Sequence, residues 1–387
     1  MVDLGQEVLS IVDQNSIHPS LLQRKIIHFD MDAFYAAVEV KHDPSLRGKA
    51  LVIGGSPQSR AVVCTASYEA RKFGVRSAMS CAQAARLCPE AIFLRPDFEK
   101  YSAASQAIHE VFQRFTPVIE PLSLDEAYLD VTDHAGGLYA SKIARQIQEA
   151  IQDELQLSGS AGVAPNKLIA KIASDMHKPQ GLTIVTPPQV LRFMEYLPLR
   201  RLHGIGPASE KRLLELGLVR CGDVWSWSEA QLEAALGQMG AWLYERSRGI
   251  DLRPVEVARE RKSLGKEDTF AEDISDWGRL EEELVRLSEE VAEALERKGL
   301  RGRTIVLKVK YADFQRCTRS HSVSEATADR VVIEGIARQL LRMTEAGTRK
   351  IRLLGVSVSG LEECAETETV ISLDLYRRRQ HASKLLS

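Results

Sequence analysis

Apolar and polar positions change period repeatedly along this chain, and the changes mark out its elements. A strand is predicted at Lys25-Ile-Ile-His-Phe-Asp30, followed by helical spacing of apolar residues from Ala33 to Val40. Short β-branched runs at Ala50–Gly54 and Ala61–Cys64 predict two more strands. Ser67–Phe73 reads as a helix stopped by Gly74, and Ser80–Leu87 as one that ends before Pro89. A long helix is expected over Phe98–Phe115, then two strands around a tight turn within Ile119–Val131, helix Ala140–Leu155 and strand Ser160–Val163. Strands interleaved with helices predict an α/β or α+β layer of ferredoxin-like type. From 180 to 247 the pattern is helical, and Leu202-His-Gly-Ile-Gly-Pro207 leads into a helix at Ala208–Leu216. Residues 248–262 are charged, contain Pro254 and read as a linker. A second small α/β unit follows, with strand 263–270, helix 278–298, strand 304–311, helix 325–344 and strand 350–359. Residues 1–23 offer only Val8, Ile11 and Val12 in weak amphipathic spacing, and no function is assigned to them.

The length of 387 residues calls for two to four domains. Hydrophobic residues at 44% and charged residues at 27% match ordinary globular proteins. No apolar run approaches the roughly eighteen residues that span a bilayer. The first basic residue is Arg24, so a secretory leader is not expected. Six cysteines without C-x-x-C spacing read as free thiols rather than a zinc site, and point to the cytoplasm. The net charge of −2 argues against nucleic-acid binding by the chain as a whole, but its distribution matters more. Between Arg297 and Arg319 there are eight basic residues and one acidic one, Asp313. Lys308 and Lys310 sit two apart in the strand Thr304–Tyr311, so both point to one face. A row of cations on a sheet face suits a phosphate backbone; a merely solvated strand face is the plainer alternative.

The strongest chemical signal is acidic. Asp30 and Asp32 close the first strand, and Asp125 and Glu126 occupy the turn between two later ones. Carboxylates gathered at strand ends suit Mg²⁺, a hard cation that takes oxygen ligands and keeps waters or substrate phosphates. Two such ions about 3.5–4 Å apart activate an attacking hydroxyl and stabilise a leaving pyrophosphate. The competing reading for Asp32, which directly precedes a helix, is an N-cap.

Four motifs make the pattern specific. Ile26-Ile-His-Phe-Asp-Met-Asp-Ala-Phe-Tyr35 with Ala-Ala-Val-Glu39, Tyr68-Glu-Ala-Arg-Lys-Phe-Gly-Val75, Ser123-Leu-Asp-Glu-Ala-Tyr-Leu-Asp130, and Ala170-Lys-Ile-Ala-Ser-Asp-Met176 with Lys178-Pro179 occur in that order. Together they resemble the motifs of Y-family DNA polymerases of the DinB type, over about Lys25 to Gly360. The resemblance implies a right-hand polymerase: a ferredoxin-like palm (24–33 and 98–179), fingers (34–97), a helical thumb with a helix–hairpin–helix (180–248), a linker (249–262), an α/β little finger (263–360) and a tail (361–387). It implies Asp30, Asp125 and Glu126 as catalytic metal ligands, with the Met31 carbonyl as a further ligand and Asp125 bridging two Mg²⁺. It assigns Tyr68, Arg71 and Lys171 to the dNTP triphosphate, with Thr65 adding a hydroxyl, and makes Tyr35 a steric gate against a 2′-OH. Tyr68 and Arg71 are three apart on one helix, and Lys167 and Lys171 four apart, so each pair shares a face.

Gly204-Ile-Gly206 before a helix resembles a DNA-binding hairpin, whose glycines let the backbone approach phosphate. Ser372-Leu-Asp-Leu-Tyr376 resembles the bacterial sliding-clamp peptide Gln-Leu-Asp-Leu-Phe, with Leu373, Leu375 and Tyr376 as anchors and Ser in place of the favoured Gln. The implied partners are primer–template DNA, dNTPs and the clamp, with the chain acting as a monomer in translesion synthesis at low fidelity and without proofreading. Two alternatives are a palm-type nucleotidyl cyclase and a non-catalytic DNA-binding accessory protein. The first predicts no hairpin or basic strand; the second predicts a broken carboxylate set.

Overall fold

The computed structural model describes residues 24–134, 136–257 and 260–363, which form two compact units on either side of residues 258–259. No described helix is long and apolar enough to cross a membrane.

The first unit is built on β1 (Ile26–Met31). It is the centre of a five-stranded sheet in the order β5 (Ile119–Pro121), β6 (Glu126–Asp130), β1, β7 (Gly159–Ala164), β8 (Leu182–Ile184). β1 runs antiparallel to both neighbours, and β8 parallel to β7. Both faces of β1 are covered, which is why it reads as a nearly continuous apolar run. Ile27, Phe29 and Met31 pack into one core with the long helices α4 (Phe98–Gln113) and α5 (Ala140–Leu155). Ile26 packs into another, with α6 (Lys167–Ser174) and the helices beyond 190. A Cβ on Gly162 of β7 would lie 2.0 Å from the Ala170 carbonyl oxygen, so only glycine lets α6 sit this close. β8 extends the sheet past residue 180, where the sequence pattern predicts helix; three residues are too few to carry a strand period.

Between β1 and α4 lies a small sheet of β2 (Leu51–Gly54), β3 (Val63–Ala66) and β4 (Ile92–Leu94), in the order β3-β2-β4. It carries α1 (Phe34–His42), α2 (Tyr68–Lys72) and α3 (Cys81–Leu87) around it. β3 lies two residues later than its apolar run suggests and takes in the polar Thr65, which ends that run in the sequence. Helices α7 (Val190–Glu195), α8 (Pro207–Glu215), α9 (Cys221–Val224), α10 (Glu229–Leu236) and α11 (Gln238–Ser247) follow.

The expected linker is only partly one. Asp251 is buried, pairs with Arg246 at 3.3 Å and Arg253 at 2.8 Å, and accepts from the Leu168 N–H at 3.1 Å. Val255 is buried, and Lys167 donates to the Pro254 carbonyl. Residues 249–255 therefore belong to the first unit; their charges mislead because they are paired rather than solvated.

In the second unit, β9 (Ser263–Ile274), β10 (Leu300–Tyr311), β11 (Arg316–Thr327) and β12 (Ile351–Glu363) form an antiparallel sheet in the order β11-β10-β12-β9. Helices α12 (Trp277–Arg297) and α13 (Arg330–Arg342) pack on one face. β11 is absent from the sequence reading because it is a mostly exposed edge strand with no apolar alternation. α13 starts at Arg330, capped by Asp329, and not near 325, since residues up to Thr327 are still strand. Along β10, Ile305, Leu307 and Val309 point to the core and Lys308 and Lys310 to the open face, as the two-residue period predicts.

Candidate active site

Asp30 emerges at the end of β1 directly opposite Glu126 at the start of β6, so both carboxylates project from one sheet face. His28, two residues back, shares that face and is fully buried. Ligand-capable atoms of His28, Asp30 and Glu126 lie within 4.8 Å of one another. Asp125 stands one residue away on the turn, which is anchored by the Met31 N–H donating to the Asp125 carbonyl at 2.9 Å. Its carboxylate accepts from the Ser123 hydroxyl at 2.6 Å and is not in that three-residue group. The expected trio of Asp30, Asp125 and Glu126 is thus gathered at one spot, but His28 rather than Asp125 completes the tight cluster.

Two lysines hold these acids. Lys178 Nζ sits 2.5 Å from Asp30, and Lys171 donates to Glu126. Burial, resisted by Lys178, pushes the Asp30 carboxyl up to about 6. Burial would raise Glu126 too, but hydrogen bonds from His28 and Lys171 and the Lys171 charge outweigh it and hold Glu126 near 2. His28 is held down near 4 by burial, against Glu126, so it is neutral at pH 7. Its Nδ1 lies 2.8 Å from the Ser174 hydroxyl and its Nε2 3.2 Å from Glu126. Lys171, expected at the triphosphate, therefore faces the Glu126–His28 side. Lys167, its neighbour one turn back, is buried against Glu120 at 2.5 Å and serves packing.

Lys178 is the lysine on the other flank. Two residues on, the Gln180 N–H donates to Asp32 at 2.8 Å, and Asp32 also accepts from the Tyr68 hydroxyl at 3.2 Å. Arg71 lies on the same α2 face, its guanidinium 4.9 Å from the Tyr68 ring centroid. Burial, then Asp32, raises the Tyr68 phenol well above its usual range, so it remains a proton donor. Asp32 thus joins Tyr68, whose ring carries Arg71, to the turn that follows Lys178, with Thr65 on the neighbouring β3. The motif containing Lys178 was visible in the sequence, yet the lysine's own role was not. His28 could have been found as the residue two before Asp30, on the same strand face.

Of the adjacent aromatics, Phe34 is core and Tyr35 half-buried at the surface of α1. Tyr35 stacks on Tyr101 with ring centroids 4.2 Å apart and planes 11° apart. The buried Tyr101 hydroxyl donates to Glu39 at 2.7 Å. Glu39 is one turn along α1 from Tyr35, so the stack is tied back to the helix that carries it.

The chemistry of these donors fits hard divalent cations. Oxygen ligands dominate, and the acids sit so close together that the protein matches them with two lysine cations.

Elsewhere, Gly204 has a left-handed φ of +117°, and a Cβ there would lie 3.3 Å from Trp242. A Cβ on Gly206, just before α8, would meet nothing within 4 Å. On the open face of the second unit, Lys308 is paired with Glu267 at 2.6 Å, so it is not the free cation the sequence suggests. Lys310 and Arg352 both lie against the exposed Phe314 ring, at 4.5 and 4.6 Å. Leu373, Leu375 and Tyr376 lie outside the described residues.

Comparison with known proteins agrees with this geometry. Residues 29–175 match the impB/mucB/samB family, residues 261–375 that family's C-terminal domain, and residues 200–251 a "DNA polymerase-iota, thumb domain" family. The chain is 51% identical to DNA polymerase IV of Halorhodospira halophila, over 88% of this chain and 96% of that one. It is 47% identical to DNA polymerase IV of Stenotrophomonas maltophilia, over 91% and 98% of the two chains. A solved Y-family DNA polymerase chimera of Dbh and Dpo4 superposes with a TM-score of 0.79 at 30% identity, over 87% of this chain and 98% of that one. With the carboxylates, the hairpin and the two-unit α+β architecture in place, the chain belongs to the Y-family of DNA polymerases, of the DNA polymerase IV (DinB) type.

Proposed function

We propose that this chain extends a primer 3′-OH from dNTPs on a DNA template, as a Mg²⁺-dependent translesion polymerase of low fidelity without proofreading. The observation that carries the reading is the Asp30–Glu126 pair set across β1 and β6 beside Asp125, within a chain of polymerase family. Asp30, Asp125, Glu126 and the Met31 carbonyl would hold two Mg²⁺, which supply activation of the primer hydroxyl and charge neutralisation at the leaving pyrophosphate. Lys178, with Tyr68 and Arg71, takes the triphosphate; its place on Asp30, two residues before the turn that Asp32 ties to Tyr68, favours it over Lys171, which is engaged by Glu126. Arginine suits the task because its planar fork grips phosphate oxygens in pairs. Lys171 and neutral His28 instead hold Glu126 in place. Tyr35 lies beneath the incoming sugar. Primer extension with purified protein, dNTPs and Mg²⁺, with chelator as control, tests the whole reading; no extension on any primed template overturns it.

DNA is held without regard to sequence. Gly204 and Gly206 support a hairpin contact, since a Cβ on Gly206, the N-cap of α8, would meet nothing within 4 Å and the backbone there is open to approach. Lys308 and Lys310 support a second contact on the open sheet face. Because Lys308 must exchange Glu267 for a phosphate, its contribution is the smaller of the two. Neutralising Lys310 alone is expected to lower the slope of log K against log[salt] by roughly 0.9, and neutralising Lys308 by less. An unaltered slope in both would make this a solvated face.

The tail is proposed to dock on the sliding clamp through Leu373, Leu375 and Tyr376, with the monomer working in the cytoplasm. Losing central anchors commonly costs about 2 kcal/mol or more, roughly a thirtyfold loss of affinity. Leu375→Ala with Tyr376→Ala is therefore expected to remove stimulation by a loaded clamp and to leave synthesis on short templates intact. Surviving stimulation would move any clamp contact elsewhere.

A further inference from the structure

Asp32 follows Asp30 by two residues, yet its carboxylate stands outside the acidic cluster. It is 3% exposed. It does not cap α1: the N-cap position is Ala33, with φ 46° and no side-chain bond. That left-handed turn, uncommon for alanine, frees Asp32 for other partners. Four donors from three separate segments converge on it. Oδ1 accepts from the Ser160 hydroxyl at 2.8 Å and the Tyr68 hydroxyl at 3.2 Å. Oδ2 accepts from the Gln180 N–H at 2.8 Å and the Ser158 hydroxyl at 3.0 Å. An ionised carboxylate has about four lone-pair sites, so its capacity is filled.

Two of those segments bear the groups assigned above to the triphosphate. Tyr68 comes from α2 together with Arg71, and Gln180 stands two residues past Lys178. The third segment, Ser158 and Ser160, is the start of β7, which is paired to β1 itself. We propose that Asp32 is a positioning residue that locks Tyr68 and the Lys178–Gln180 turn into one register with Asp30, so that the triphosphate grip is assembled before nucleotide arrives. The proposal rests on the reading that Tyr68, Arg71 and Lys178 take the triphosphate.

Asp32 does not touch the triphosphate, because a carboxylate beside phosphate oxygens would repel them. It acts through its donors. The Tyr68 bond is the longest of the four, and a phenol has a single proton. The Tyr68 O–H redirects its hydrogen bond from Asp32 to a phosphate oxygen when nucleotide binds, while the other three donors keep Asp32 in place. Gln180 has a left-handed φ of 57°, and its bond to Asp32 fixes the turn that aims Lys178.

The sign of the effect separates positioning from simple electrostatics. Asp32→Asn removes a negative charge near an anion site, which alone would tighten nucleotide binding. Loss of positioning weakens it instead. Hydrogen bonds to a charged group are each worth enough that losing one or two raises KM for dNTP roughly ten- to hundredfold. The experiment measures KM and kcat for dNTP, inhibition of extension by inorganic tripolyphosphate, and primer–template affinity, for Asp32→Asn, Tyr68→Phe and Lys178→Ala. Asp32→Asn is expected to raise KM and weaken tripolyphosphate inhibition by the same factor, with saturating kcat and DNA affinity nearly unchanged. KM unchanged or lowered, or a fall in kcat alone, overturns the proposal. If Tyr68→Phe and Lys178→Ala also leave tripolyphosphate inhibition unchanged, the underlying reading of the triphosphate groups fails; if they weaken it and Asp32→Asn does not, only the positioning role fails. Should Asp32→Asn not fold, Ser158→Ala removes one β7 anchor of Asp32 and spares Ser160, whose hydroxyl also accepts from the Gly181 N–H at 3.2 Å. This variant is expected to raise KM in the same direction, and an unaltered KM overturns the proposal equally.

Discussion

Replacing Asp30 with alanine is expected to lower primer extension by on the order of a thousandfold, about 4 kcal/mol in the barrier, while primer–template affinity stays nearly unchanged. The carboxylate ends β1 opposite Glu126, where burial already pushes it up to about 6 despite Lys178 at 2.5 Å. A site that holds an acid at such cost does so for what the acid binds. Removing it takes away cation affinity at the point where the primer hydroxyl and the triphosphate meet. DNA affinity survives because phosphate contacts elsewhere dominate it. Single-turnover extension with saturating dNTP, beside a direct binding titration of primer–template, decides the matter. A melting curve for the variant is part of the test, since Lys178 is left with Asp175 at 3.6 Å as its remaining acidic partner among the described residues. Near-normal extension by a folded Asp30→Ala protein would remove Asp30 from the chemistry.

What could be read in advance follows physical lines. α5 was legible to the residue because Ile143, Ile147 and Ile151 repeat every four positions on one buried face. β1 was legible as an apolar run, and its terminal acid as a candidate ligand. β4, β8 and β11 were not: the first two are three residues long, and the third is a polar edge strand. The buried start of the presumed linker was hidden because sequence does not reveal that Asp251 is paired with Arg246 and Arg253. In the site, the carboxylates were visible as a motif, but which lysine faces which acid depends on how α6 and the turn after it lie over the sheet. Lys171 and Lys178 are both plausible phosphate ligands by composition. Only the fold sends the first to Glu126 and the second to Asp30, with the turn after it tied to Asp32 beside Tyr68.

Tyr35→Ala is expected to reduce discrimination against ribonucleotides roughly a hundredfold, because forcing a 2′-OH into the volume of a fixed ring costs on the order of 1–3 kcal/mol. The ring is fixed. It lies flat on Tyr101 at 4.2 Å, with Phe98 edge-on at 6.0 Å. Tyr101 in turn is fully buried and held through its hydroxyl by Glu39 at 2.7 Å. A ring backed in this way cannot retreat from an added oxygen, whereas a free surface tyrosine would swing aside at little cost. The same argument predicts that Tyr35→Phe leaves discrimination intact, because the blocking volume is the ring and not its hydroxyl. Values of kcat/KM for each rNTP and its matching dNTP, in wild type and both variants, give the ratio directly. Loss of discrimination in Tyr35→Ala together with its retention in Tyr35→Phe assigns the gate to the stacked ring. An equal loss in both variants would assign it to the phenolic hydroxyl, and no loss in either would return Tyr35 to the packing of α1 against α4.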